Sequence, residues 1–401
     1  MARSAIVVGG GISGLAVAGG LSRAGWRITL LEQAPQFFVV GAGITLEPNA
    51  VKALASLGLE DRLRSLADAH GSVGIRTHTG RWLVRSRASE LRDRYGVPAY
   101  ALHRSALHAI LLDAVHDTDL HTGHRLTDLH MHSSGAVATA ATNTGVTEFR
   151  ADLIVGADGI NSVTRGMLFS EHPGATYAGY VTWRGVVDSD AVDGINAPHA
   201  VTESWGRGQR FGIVPLTDGR IYWFATASLQ AGKAPSAQGD FDALKRLFAG
   251  WHDPVERLLD ATDPDTALTH DIYYLADELP SYVRGRAVLI GDAAHAITPD
   301  LGQGAALALE DATTLTAALA EVPDELEPAL AHYDFARRRR TQKMVRTSAQ
   351  VGKIGQWAHP IAAGLRNAVV GLIPTPLILR ATAGALAWMP PTPPEHRNIN
   401  G

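Results

Sequence analysis

The chain has 401 residues, no cysteine, 46% apolar and 19% charged residues, and a formal net charge of -4. The lack of cysteine excludes disulfides, thiolate metal sites, cysteine nucleophiles and a cysteine-linked flavin. The net charge gives no electrostatic case for nucleic acid or an anionic membrane, and the length suggests two or three domains or two interleaved ones.

The N-terminal "MARSAIVVGGGISG" has too short an apolar run for an export signal. "SAIVVGG" (4–10) predicts one buried strand. In "GGGISGLAVAGGLSRAG", Gly9, Gly11 and Gly14 fit the G-x-G-x-x-G spacing. The first glycine permits a tight turn, the second lets backbone amides approach a pyrophosphate, and the third lets helix pack on strand. The helix N-terminus then presents partial positive charge to the phosphates. "RITLLE" (27–32) predicts a second strand ending in Glu32, placed to grip a ribose hydroxyl. The unit predicts dinucleotide binding and leaves NAD and FAD both open.

"GAGITLEPNAVKALASLGL" (41–59) carries a glycine pair that includes Gly43, then a helix with Val51, Leu54 and Leu57 on its apolar face. "YALHRSALHAILLDAV" (100–115) predicts an amphipathic helix opened by Arg104, which reads equally as a pyrophosphate contact or a surface charge. Histidines 103 to 132 are numerous but show no ligand-like spacing, so no metal site is expected. "FRADLIVGADGINSVTRGML" (149–168) predicts a strand, a turn at Asp158 and Gly159, and a helix; without more, Asp158 reads either as a helix cap or as a ligand contact.

Between 176 and 230 the texture changes to short, aromatic, β-branched, turn-bounded segments, expected as antiparallel strands. Trp183, Arg184, Arg210, Phe211, Tyr222 and Phe224 are its candidate pocket residues, and alternation puts Tyr222 and Phe224 on one face and Trp223 on the other. "RAVLIGD" (286–292) predicts another buried strand, with Asp292 at its carboxyl end, where α/β sheets bind ligands. "GQGAALALEDATTLTAALA" (302–320) is a helix opened by Gly302, Gln303 and Gly304, with bare amides facing the same ligand. Three separated nucleotide-facing elements favour FAD, whose ring lies far from its adenine. Arg337 to Arg340 read as a solvated helix face. "PIAAGLRNAVVGLIPTPLILRATAGALAWM" (360–389) is broken by Arg366, Asn367, Pro374, Pro376 and Arg380, so it predicts buried or partner-facing helices without stable membrane insertion.

"GGGISG" with Glu32, "GADGINSVTR" and "GDAAHAITPDLGQGAALALEDA", in that order, resemble the single-component, class A FAD-dependent aromatic monooxygenases, over nearly the whole chain. The resemblance implies an α/β fold: a Rossmann-like FAD-binding domain of the glutathione-reductase type (1–72, 99–175, 284–345), an interleaved substrate domain on an antiparallel sheet (73–98, 176–283), and a C-terminal helical tail (346–401). It implies that Glu32 holds the adenosine ribose, Arg104 the pyrophosphate region and Asp292 the ribityl chain. Asp158 and Gly159 belong to the motif tied to FAD and NAD(P)H, and Gly302 to Gly304 pass under the ring. Gly43 and Leu126 join the cofactor set, and Pro299 lines the reacting edge.

The implied reaction uses NADPH or NADH and O2 to insert one oxygen atom into a small aromatic or heteroaromatic substrate through a flavin C4a-hydroperoxide, in a cytoplasmic monomer or homodimer. Arg210, Tyr222 and Pro299 form the expected catalytic set; Trp183, Arg184, Phe211 and Phe224 form the substrate set. Arg210 and Tyr222 match in register the arginine and tyrosine of urate hydroxylases, whereas Arg184 stands where those enzymes carry asparagine. Epoxidation, oxidative decarboxylation and a non-catalytic flavin sensor are the alternatives.

Overall fold

The computed structural model describes residues 3–37, 42–66, 72–86, 88–192, 194–195, 200–235, 239, 241–322, 325–381 and 383–391. Gly41 and the last ten residues of the expected tail lie outside them. The strand Ser4–Val8 forms from β-branched and small apolar residues, and Ala5 to Val8 are buried. It pairs in parallel with Arg27–Leu31 on one side and Leu153–Gly156 on the other. Ala287–Leu289 pairs in parallel with Leu153–Gly156, and Val283–Arg284 and Asp119–His121 complete a six-stranded sheet.

This topology explains why motifs far apart in sequence meet. Val8 lies opposite both Leu31 and Gly156, and Gly156 opposite Leu289. The four strands therefore end side by side, and Gly9, Glu32, Ala157 and Ile290 leave the same edge of the sheet. The helices Ile12–Arg23 and Gly304–Glu321 pack together there; a Cβ on Gly20 would stand 2.6 Å from Thr316 Oγ1, so glycine permits the close approach.

A seven-stranded sheet takes Ser72–Thr77 and Trp82–Arg85 from one stretch and Thr176–Val187, Ala200–Trp205, Gln209–Pro215, Ile221–Ala227 and Leu268–Tyr274 from another. It is antiparallel except where Ala200–Trp205 runs parallel to Ser72–Thr77. Its outer face buries Trp183, Phe211 and Trp223 beneath the helices Phe241–Leu247 and Val255–Asp260. Phe211 and Trp223 stack at 5.6 Å, and the indole N–H groups of Trp223 and Trp183 donate to Thr262 Oγ1 and the Pro235 carbonyl. Its inner face looks towards the edge where the three motifs meet.

Three local expectations change. Tyr100–His103 is a strand paired with Gly43–Leu46; the helix after it opens at Arg104 as expected, with His103 Nδ1 capping the Ser105 amide. The helix Leu326–Gly355 runs unbroken for 30 residues, so the chain beyond 345 continues a helix instead of starting at a break. Arg337 is not solvated: it is 1% exposed, because its helix packs on Gly304–Glu321 and Glu310 and Asp311 receive it there.

Candidate active site

The first motif forms an open phosphate-sized cradle. Gly9 has φ +106°, and a Cβ on Gly14 would lie 1.8 Å from the Gly9 carbonyl oxygen. A Cβ on Gly11 would meet nothing within 4 Å, so the space above the helix start is vacant of protein. No side chain caps that helix, which leaves its first amides free for an anion. The Glu32 carboxylate is fixed by the amides of Gly10 and Ala34, each at 2.7 Å. Leu126 lies just past His124, whose amide donates to the Glu32 carbonyl, but its side chain is buried in the main core.

Asp158 acts as a cap within its own turn. Its two oxygens accept from Ser162 Oγ (2.5 Å), the Thr164 amide (2.9 Å) and Thr164 Oγ1 (2.9 Å). Gly159 beside it has φ +77° and lines the cavity described next. Arg165, buried, donates to the Ala293 carbonyl and ties the second motif to the third.

A cavity of about 480 Å³ joins all of this to the inner face of the large sheet, within the size range of cofactor and ligand sites. Gly11, Gly43, Arg104, Gly159, Asp292, Pro299, Gly302 and Gly304 line one side. Asp292 opens into the cavity but lies deep in the fold; removal from bulk water pushes its carboxyl upward, opposed by His295 and Arg104. Burial lowers the Arg104 guanidinium, and Asp292 opposes that shift. Neither Arg104 nor Asp292 hydrogen-bonds through its side chain to another described residue. A second uncapped helix start, Gly304–Glu321, faces the same space. Gln303 is the exception among the motif residues: it is 1% exposed and points away, accepting from Asn49 Nδ2 at 2.8 Å.

Thr182, Arg184, Val201, Glu203, Arg210, Val214, Tyr222, Phe224 and Thr226 form the opposite wall. Register explains the set. Arg210 pairs with Thr226, Gly212 with both Phe224 and Glu203, and Arg184 with Phe224, so alternate residues of four strands share one face. Trp183 and Phe211 fall on the other face, so the structure corrects their expected place in the pocket. A Cβ on Gly43 would come within 2.4 Å of the Tyr222 ring, so glycine there seats the tyrosine. Burial pushes the Tyr222 phenol up, opposed by Arg184 and Arg104.

Arg210 is 3% exposed and donates to Asp300 Oδ1 (2.6 Å) and Glu203 Oε1 (3.1 Å), while Tyr180 donates to Asp300 Oδ2 (2.8 Å). Burial raises Glu203, with Arg210 opposing and Asp300 adding to the rise. Glu203, Asp300 and Tyr180 were missed in the sequence. Asp300 follows Pro299 directly, but Glu203 is found only through strand register.

These features fit FAD. Two uncapped helix starts, and a cation and a carboxylate whose side chains make no hydrogen bond to another described residue, face one cavity, as a pyrophosphate, a ribityl chain and a ring require.

The family model described as FAD binding domain matches residues 3–348. The chain is 35% identical over 387 residues to aurachin C monooxygenase/isomerase of Stigmatella aurantiaca, covering 96% of this chain and 98% of that one. It is 33% identical over 376 residues to 2-heptyl-3-hydroxy-4(1H)-quinolone synthase of Pseudomonas aeruginosa, covering 92% and 94%. The structure of Klebsiella pneumoniae HpxO complexed with FAD and uric acid superposes with a TM-score of 0.88 at 29% identity, over 96% of each chain. Among the described residues no helix is long and apolar enough to cross a membrane. Taken with the cavity and its three converging motifs, these matches establish that the chain belongs to the class A FAD-dependent aromatic monooxygenases and is an FAD-dependent enzyme of that family.

Proposed function

We propose that the protein uses NADPH or NADH and O2 to insert one oxygen atom into a planar aromatic or heteroaromatic compound bearing a carbonyl or oxyanion. The observation that carries this reading is the inner sheet face, where Arg184 and Tyr222 confront Pro299 and Gly302 across one cavity. FAD, when bound, supplies the redox chemistry that activates oxygen; the protein supplies binding, orientation and charge.

The amides at the start of Ile12–Arg23 would hold the pyrophosphate, with Arg104 neutralising it. Glu32 would accept from the adenosine ribose and Asp292 from a ribityl hydroxyl. The turn through Gly302 and Gly304 would support the ring, and the amides of the following helix favour negative charge there. Leu126 would contribute through its backbone near Glu32. Asp158 would act indirectly, by holding the Gly159 turn.

On the substrate side, the Tyr222 phenol keeps its proton, because burial raises it, and can donate to a substrate oxygen. The Arg184 side chain makes no hydrogen bond to another described residue and can stabilise the same oxygen as an anion. Arg210 donates to Oε1 of the Glu203 carboxylate and not to Oε2. That oxygen is our candidate for taking a ring N–H or O–H proton, which would enrich the ring for attack. General-base help of this kind is worth about 10²–10⁴-fold. Phe224 would cover the ring face.

The named relatives act on different ring systems, so the substrate is proposed only as a class. The test is NAD(P)H oxidation by FAD-loaded protein against a panel of phenols, purines and quinolones, with peroxide counted. Faster oxidation with an oxygenated product and little peroxide supports the reading. Stimulation by aliphatic compounds alone would refute it.

A further inference from the structure

The helix Pro360–Leu372 buries Ala363 and Arg366 and turns its larger apolar side chains outward. Its protein-facing side carries Arg366, 3% exposed, which donates to the carbonyls of Gly355 (2.6 Å) and Gly206 (2.7 Å). Its solvent side carries Ile361, Leu365, Val369 and Leu372, which are 76%, 61%, 48% and 82% exposed. At 3.6 residues per turn these four fall within an arc of about 80°. Gly364 and Ala368 flank that arc, and no polar side chain enters it. Trp357 before the helix and Leu377 after it are also open to solvent. A helix on a protein surface normally shows the reverse pattern, and a contiguous exposed apolar face marks a contact.

Charge identifies the contact. From Thr347 to Pro391 the chain contains no aspartate or glutamate. Lys353 and Arg380 are exposed on either side of the helix. The segments beneath it add Arg207 and Arg85, also exposed: the Gly208 amide donates to the Trp357 carbonyl, and Gly371 abuts Leu83. The overall charge of -4 conceals this local excess. A second copy of the chain docked on the same face would set these cations against each other. A bilayer with anionic headgroups meets both requirements at once, an apolar interior and negative charge at its rim. The helix has 13 residues, about 20 Å, which is too short to cross a core of about 30 Å and suited to lying in the interface.

We propose that this face binds an anionic lipid surface, with Ile361, Leu365, Val369 and Leu372 among the acyl chains and Arg85, Arg207, Lys353 and Arg380 at the headgroups. The segment that leads into this helix touches cavity-lining residues. Gln356 Nε2 donates to Thr226 Oγ1 at 2.8 Å, and a Cβ on Gly355 would lie 3.3 Å from the Arg210 side chain. The surface claim stands independently of the reaction proposed above.

The test is co-sedimentation of the full-length protein with phosphatidylcholine vesicles, with and without about one third phosphatidylglycerol, alongside light scattering of the free protein. Binding is expected to be at least about tenfold stronger to the anionic vesicles and to weaken in high salt. Ile361→Ser with Leu365→Ser and Leu372→Ser should abolish it while FAD absorbance is kept. Lys353→Gln with Arg380→Gln should remove the preference for anionic lipid, and serves if the serine variant fails to fold. Equal or no binding to the two vesicle types overturns the proposal. So does a homodimer that the serine variant converts to monomer, because the face would then belong to a second copy.

Discussion

Two buried arginines each lie between two carboxylates, and they differ in how the carboxylates are finished. Arg337 reaches Glu310 Oε2 and Asp311 Oδ1, both at 2.6 Å. The other oxygens are also taken: Glu310 Oε1 by Asn49 and Arg340, Asp311 Oδ2 by His295 and the Gly291 amide. Arg210 reaches Asp300 and Glu203, but its own Nε has no partner among the described residues. The first network is closed and clamps the third motif to the helix Leu326–Gly355. The second is open on the cavity side. A buried donor without an acceptor costs stability, so its persistence beside a cavity points to a ligand that completes it.

The largest effect should come from opening the closed network. Arg337→Met removes the cation that Glu310 and Asp311 share and should cost about 3–5 kcal/mol in urea unfolding. A loss below about 1 kcal/mol would mean that the clamp is not structural. The open network should respond in the other observable. Arg210→Gln should lower kcat/KM for substrate-stimulated NAD(P)H oxidation by about 10²-fold while FAD stays bound. Its unfolding midpoint should fall less than that of Arg337→Met. If the two variants lose stability alike and Arg210→Gln keeps its activity, the contrast between the clusters is void.

The same contrast shows where sequence runs out. The three motifs were legible because each depends on local backbone chemistry: glycines at a turn, a bare helix start, an acid at a strand end. Their convergence also followed, since ends of adjacent parallel strands share an edge. Pocket membership did not. Trp183 and Arg184 are neighbours on one strand, as are Arg210 and Phe211, so one of each pair must face away. Composition alone does not say which; the helices over the outer face decide it by burying Trp183 and Phe211. Glu203 became part of the site only because Ala200–Trp205 pairs with Gln209–Pro215 in that register. Arg337 looked solvated within four consecutive arginines, yet its partners, Glu310 and Asp311, stand inside a motif already identified for another reason.

Acid should dismantle the closed cluster in a defined window. Burial alone would raise Asp311; His295 and Arg337 outweigh it and bring the carboxyl from 3.8 to about 2. A depressed folded value means the contribution is complete above the unfolded value of 3.8 and is lost as pH falls towards about 2. The stability gap between wild type and Asp311→Asn should therefore shrink by about 2 kcal/mol from pH 5 to pH 2. A gap that stays constant would remove Asp311 from the clamp.

Glu47 supplies the limiting case, a carboxyl with no ion-pair partner among the described residues. It precedes the helix Pro48–Ser56 and is partly buried; its backbone carbonyl accepts from the Val51 amide, but its carboxylate accepts no hydrogen bond from a described residue. Burial moves it from 4.5 up to about 7. The sign is opposite to that of Asp311. Between pH 4.5 and about 7 the folded chain holds a proton that the unfolded chain has released, so stability falls as pH rises through this window and is level above it. Solvent contact limits the effect to about 1 kcal/mol. Glu47→Gln should remove that slope, and be more stable than wild type at pH 8 but not at pH 4. Identical pH profiles for the two proteins would show that an unpaired carboxyl at this helix start is solvated, leaving pairing with arginine as the only feature that distinguishes the buried acids.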